Sequence, residues 1–148
     1  MNFRFATAAD SSLLGMMNHQ LIRDEGHRNR MTVPQLQQRM ADWLATDYRA
    51  VIFEQDGAAS GYALFRREPD YMYLRQFYVK RDRRRQGIGR SAVEWLAANA
   101  WKPKERIRIE VLAANEAGIA FWRSIGFNDY ALTMERECPQ IEECGSDR

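Results

Sequence analysis

Seven residues, Arg84-Arg85-Gln86-Gly87-Ile88-Gly89-Arg90, join a run with strand spacing to a run with helix spacing, and this junction restricts the fold more than any other stretch. Before it, Tyr71 to Val79 is rich in aromatic residues. After it, Ile88, Ala92, Leu96 and Trp101 recur at helical intervals until Pro103. Two glycines at alternate positions allow a tight bend without Cβ atoms in the way. The first turn of the helix that follows presents unpaired amides and the positive end of a dipole, a natural seat for a phosphate or pyrophosphate. Lys80 to Arg90 carries six basic residues against one Asp, whereas the whole chain has a net charge of only +2. The basic charge is therefore local to the turn.

Around this junction the chain reads as alternating elements. Asn2 to Thr7 alternates Phe3 and Phe5 with polar neighbours, the period of a half-buried strand. Asp10 is placed to cap a helix with Leu13, Leu14, Met17 and Leu21 on one face, and Thr32 with Gln35 forms a capping-box pattern before a second helix bearing Leu36, Met40, Trp43 and Leu44. Tyr48 to Glu54 and Ala59 to Arg67 read as strands joined through Asp56-Gly57, a strong hairpin signal, with Tyr71 to Val79 as the third strand of a meander. Arg106 to Leu112 alternates again, a short helix runs from about Asn115 to Ile125, and Phe127 to Glu137 reads as a last strand. The order predicts one α/β (α+β) domain over residues 1–137, a mixed sheet with helices on its faces, followed by a flexible tail over 138–148.

At 148 residues, 45% apolar and 28% charged, the chain is sized for one hydrophobic core. No apolar run approaches a membrane span and the amino end lacks a signal-peptide block, which predicts a cytoplasmic protein with no membrane partner. Cys138 and Cys144 have no His pair at metal spacing, so exposed thiols and no metal site are expected. The turn lacks the third glycine and acidic partner of a dinucleotide fold and the Gly-Lys-Ser/Thr of a P-loop. A solvated basic face and a nucleic-acid patch stay open on the residues alone.

Strand, then Arg-x-x-Gly-x-Gly, then helix resembles the acyl-CoA signature of the GNAT superfamily of N-acetyltransferases, with Arg84, Gly87 and Gly89 at the matching positions. Leu74 to Val79 resembles the family's fourth strand, and Asn115, Ala120-Phe121-Trp122 and Gly126-Phe127 resemble its second block. The resemblance implies a mostly antiparallel sheet of six to seven strands with about four helices, the fourth and fifth strands splayed around acetyl-CoA. It implies that the turn from Arg84 through Arg85, Gln86, Gly87, Ile88 and Gly89 to Arg90 holds the pyrophosphate. Phe77, Tyr78 and Val79 would lie along the pantetheine arm with Asn115, and Phe121 and Trp122 would wall the thioester end. It also makes a homodimer a fair expectation, and it implies transfer of acetyl to a primary amine, on a small molecule or a protein, rather than nucleic-acid binding. An acyl-CoA-binding regulatory module is the main alternative.

One position departs from the family. Many members carry Tyr where this chain has Trp122, and an indole N–H is no useful acid near neutral pH. Tyr78, Tyr130 or water then becomes the expected proton donor to the leaving thiolate, unless the thiolate leaves unaided. An alkylamine is mostly protonated at neutral pH, so a base is also expected. Glu110 ranks first because the fifth strand borders the acceptor cleft in the resembling fold, ahead of Glu68, Asp70, Asp24, Glu25 and His27. No Cys precedes Cys138 to carry an acyl group, which favours direct transfer in a ternary complex.

Overall fold

Ala50-Val51-Ile52-Phe53 is buried residue by residue, so the strand that carries it must be covered on both faces. That strand is β2 (Arg49–Gln55) in a sheet whose spatial order is also its chain order: β1 (Asn2–Phe5), β2, β3 (Ala58–Arg67), β4 (Met72–Val79) and β5 (Ile107–Arg108). The first four are antiparallel neighbours and β4–β5 is parallel. The computed structural model describes residues 1–140. The part of the tail beyond Gln140, Cys144 included, lies outside the described residues, and Cys138 is exposed with a free thiol.

α1 (Ser11–Glu25) and α2 (Val33–Leu44) cover one face. There Leu14, Met17, Leu21 and Met40 meet Ile52, Tyr62, Leu64 and Tyr78. α3 (Ile88–Asn99) and α4 (Glu116–Ser124) cover the other, where Ile88, Ala92, Leu96 and Trp122 meet Val51, Phe53, Phe65 and Leu74. The hairpin forms as its sequence predicts, with Asp56 at φ 54° and Gly57 at φ 77°, the left-handed pair that matches strand twist. The Thr32–Gln35 capping box also closes. Asp10 does other work: its carboxylate accepts from the Thr7 amide at 2.8 Å and from both Arg4 terminal nitrogens, so it fixes the turn before α1 and does not cap that helix by its side chain.

Among the described residues the sheet has five strands, not the six or seven expected. Of the expected fifth strand, only Ile107 and Arg108 pair, opposite Met72 and Tyr73. Phe127 to Glu137 forms no strand, because no backbone group in it finds a ladder partner among the described residues.

Candidate active site

The end of the β4–β5 ladder coincides with an irregularity in β4. Leu64 faces Gln76 and Phe65 faces Leu74, leaving Arg75 as an extra residue. Such a bulge bends its strand and raises its twist. The side chains obey the shift: Leu74 and Phe77 pack on the α3–α4 side, while Gln76 bonds the Tyr62 hydroxyl on the α1 side at 2.7 Å. Arg75 also turns to the α1–α2 side, stacking 4.7 Å from the Trp43 ring. Beyond Tyr73, β4 therefore runs on to Val79 with one edge unpaired among the described residues. Lys80 donates to Ser60 across β3 at 2.8 Å, so by antiparallel alternation the main-chain groups of Phe77 and Val79 face that open edge.

The edge leads directly into the glycine turn. Arg85 (φ 63°) and Gly87 (φ 76°) are both left-handed, which curls the backbone into a concave run ahead of α3. Gly87 is the N-cap and supplies no side chain to the first turn. The first intrahelical bond comes from Ser91, to the Gly87 carbonyl, so the amides of Ile88, Gly89 and Arg90 are open donors. The two glycines have different tasks. A Cβ on Gly87 would meet nothing within 4 Å, so Gly87 is required by φ alone. A Cβ on Gly89 would lie 2.9 Å from Phe121 Cζ; there glycine admits the Phe121 ring against α3.

The basic residues divide as well. Arg84 folds back, donating from Nε to the Val79 carbonyl (2.9 Å) and from Nη2 to Asp24 (3.1 Å). Arg81 also reaches Asp24, and Arg83 bonds Gln55. Arg85 and Arg90 are exposed and make no side-chain bond with the described residues. Among the described residues of the basic run, these two and Lys80 have no side-chain partner, and these two lie on the turn itself.

Phe121 and Trp122 stand beneath the edge. Phe77 stacks on Phe121 at 6.1 Å and meets Trp122 edge-on at 5.0 Å; Trp122 meets Phe121 and Phe127, each at 4.9 Å. Trp122 is 7% exposed and packs in the core beneath the edge. Asn115 caps α4, its Oδ1 accepting from the Gly118 amide at 3.0 Å. Asn115→Ala is accordingly expected to lose about 1 kcal/mol of stability in thermal unfolding, and a change in acetyl-CoA affinity larger than that would show a second task for Nδ2.

The catalytic candidates are not gathered at one point. Tyr78 is buried on the α1 side with its hydroxyl donating to Gln20 Oε1 at 3.0 Å; burial, then Asp24, raises its pKa and keeps the phenol protonated. Tyr130 is 75% exposed, its ring against Arg108. Glu110 is exposed just past β5, near enough to Tyr73 that, after burial, its charge helps raise that phenol's pKa. Among the competing carboxylates Asp24 is held by Arg84, Glu25 by His27 and Glu68 by Arg66, while Glu110 and Asp70 enter no ion pair with the described residues. A polar hollow of ≈ 310 Å³ lined by Glu68, Asp70, Lys102 and Glu105 lies between the β3–β4 and α3–β5 connections, away from the turn. The sequence reading missed the bulge, although two successive polar residues, Arg75-Gln76, interrupt an alternating strand and mark it.

Residues 15–127 match the Acetyltransferase (GNAT) family. The chain belongs to that family. No curated protein matches it. Among solved structures, a mutant protein from Bacillus halodurans superposes with TM-score 0.77 at 20% identity, over 94% of this chain and 100% of that one. A predicted acetyltransferase from Clostridium acetobutylicum with acetyl-CoA gives TM-score 0.73 at 21% identity, over 92% and 95% of the two chains. An aminoglycoside 6'-N-acetyltransferase from Acinetobacter haemolyticus gives 0.69 at 17% identity, over 96% and 100%. The GNAT α+β fold, here with five strands and four α-helices among the described residues, is thus shared at low identity. No helix among the described residues is long and apolar enough to cross a membrane.

Proposed function

We propose that this GNAT protein transfers the acetyl group of acetyl-CoA to a primary amine by direct attack. The observation that carries the reading is the continuity of a β4 edge, unpaired among the described residues, with a helix start that has no side-chain cap and is flanked by Arg85 and Arg90. A pantetheine amide chain suits the Phe77–Val79 edge, and a pyrophosphate suits the open amides of Ile88 to Arg90. The Val79 carbonyl already accepts from Arg84, so its amide and the Phe77 groups are the better partners for the arm. That the Clostridium acetobutylicum protein was crystallised with acetyl-CoA supports the same reading.

In the reaction the amine nitrogen bonds to the thioester carbonyl carbon, the C–S bond breaks, and CoA leaves as thiolate. Glu110 takes the proton released by the amine, directly or through water. Water, or a tyrosine hydroxyl, returns one to the thiolate. Buried Trp122 and Phe121 shape the floor on which the thioester rests. The test is amine-dependent release of free thiol from acetyl-CoA over a panel of amines, including aminoglycosides and peptide amino termini. Glu110→Gln is expected to lower kcat by about 10²–10⁴-fold with little change in acetyl-CoA affinity. Unchanged turnover in that variant would remove Glu110 from the role, and no release with any amine while acetyl-CoA still binds would favour a binding module.

A further inference from the structure

Two guanidinium groups on the α1–α2 side of the sheet share one aromatic ring and have no carboxylate. Arg39 of α2 stacks 4.4 Å from the Trp43 ring centroid, and Arg75, the extra residue of the β4 bulge, lies 4.7 Å from the same centroid. Their hydrogen bonds go to neutral groups: Arg39 Nη2 donates to Asn18 Oδ1 at 2.9 Å and Arg75 Nη1 to the Tyr48 hydroxyl at 3.1 Å. Elsewhere Arg4 is matched with Asp10 and Glu54, Arg66 with Glu68 and Arg67 with Glu105. A fully solvated arginine needs no such match, but Arg39 is half-buried and faces a like charge. Burial, then Arg75, lowers its pKa, and the only other group acting on it is the Tyr62 phenol. Arg39 Nε and Asn18 Nδ2 are enclosed without an acceptor among the described residues. The patch is rich in donors and positive charge, and it lacks an anion.

Its place in the fold ties it to the candidate base. Tyr73 is the last residue of β4 paired with β5, and Arg75 stands just beyond it, 5.9 Å from the Tyr73 ring, where the two strands part. Tyr73 also feels Glu110: after burial, the Glu110 charge raises the pKa of that phenol and Arg75 lowers it. A carboxylate from past β5 and a guanidinium from β4 therefore act on one side chain. A small molecule with its amine at Glu110 can present its other end to the arginines.

We infer that the acceptor is a small amine that also carries an anionic group, a carboxylate or a phosphate, seated against Arg39 and Arg75 beside Trp43. The inference rests on the proposed acetyl transfer and adds the chemistry of the acceptor's far end. Arg39 supplies a charge held in place by Asn18 and Trp43, and exposed Arg75 supplies one at the mouth, its Nε and Nη2 without partners among the described residues. The same charges repel a polycation, so aminoglycosides are expected to be poor acceptors.

Matched pairs in the thiol-release assay test it: ω-aminoalkanoates of increasing length beside their amides, and aminoalkyl phosphates beside the corresponding amino alcohols. With the parent, the anionic member is expected to exceed its neutral mate by about 10–100-fold in kcat/KM, chiefly through KM, the effect of one or two charge-assisted bonds. Arg75→Gln should cut that ratio about tenfold, and Arg39→Gln with Arg75→Gln should bring it near unity. Damage to the fold would lower both members of a pair together and leave their ratio, and the pair with the larger ratio separates carboxylate from phosphate. Neutral amines used as well as their anionic mates by the parent overturn the proposal, as does a ratio that neither arginine change moves. Should Arg39→Gln fail to fold, Arg75→Gln alone gives the reading. If no amine of either kind releases thiol, acetyl transfer fails, and calorimetric titration of the same pairs decides the arginine site. Binding of the anionic member that is lost in Arg75→Gln supports the site, and equal or absent binding of both members overturns it.

Discussion

Gly87→Val and Gly89→Val are both expected to weaken acetyl-CoA binding by roughly 10–100-fold, the loss of one or two charge-assisted bonds, but by separable routes. At position 87 a β-branched residue must adopt φ 76°, a conformation costing it about 1–2 kcal/mol or more, in otherwise open space. The turn relaxes to ordinary angles and the first amides of α3 lose their common direction. At position 89 the new side chain meets Phe121, whose ring stacks on Phe77, and overpacking of this kind costs about 1–3 kcal/mol. Trimming the obstacle separates the two: Phe121→Leu should restore part of the binding lost in Gly89→Val and none of that lost in Gly87→Val. Calorimetric titration with acetyl-CoA, beside thermal unfolding, reads both. Undiminished binding in Gly87→Val would show that the left-handed turn does not form the cradle.

Trp122→Ala is expected to have the largest effect on stability of any change near the site, about 3–5 kcal/mol, seen as a fall in Tm on the order of 10 °C. The indole touches Phe77, Phe121 and Phe127 at once, so its removal opens a cavity under the β4 edge and frees the ring that Gly89 admits. Trp122→Phe keeps most of the apolar shape and should keep most of the activity. Trp122→Tyr should not raise turnover, because a hydroxyl there enters an aromatic cluster in a core position. A rise of tenfold or more in kcat for Trp122→Tyr across the neutral pH range would show that the position reaches the sulfur after all.

Much of this architecture is legible in the residues. The Asp56-Gly57 turn, the Thr32–Gln35 box and the helical spacing of Ile88, Ala92 and Leu96 encode local geometry, and local geometry follows from composition. What the residues concealed depends on distant partners. Arg84 and Arg85 are indistinguishable in sequence, yet one is spent on Asp24 and Val79 while the other stays exposed. That Gly89 also makes room for a ring is invisible until Phe121, thirty-two positions on, is seen against it. Phe127 to Glu137 has genuine strand periodicity, but a strand exists only with a partner, and periodicity cannot supply one.

The extra residue in β4 sets the parity of everything downstream. Upstream of Arg75 even-numbered side chains such as Met72 and Leu74 face α3; downstream the odd-numbered Phe77 does, and Tyr78 faces α1. Folding leaves the identity of the residue at 75 free to vary, because its side chain lies on the outer, solvent-facing part of that surface. Its presence is also tolerant of change: with Arg75 removed, Leu74, Gln76, Phe77 and Tyr78 would alternate regularly and keep their faces, so the loss would be one of local bend and of the Trp43 contact and not of either core. A residue removed or added elsewhere between Leu74 and Val79 has no such place to be absorbed, so this strand holds a single point at which its count can change without exchanging its faces.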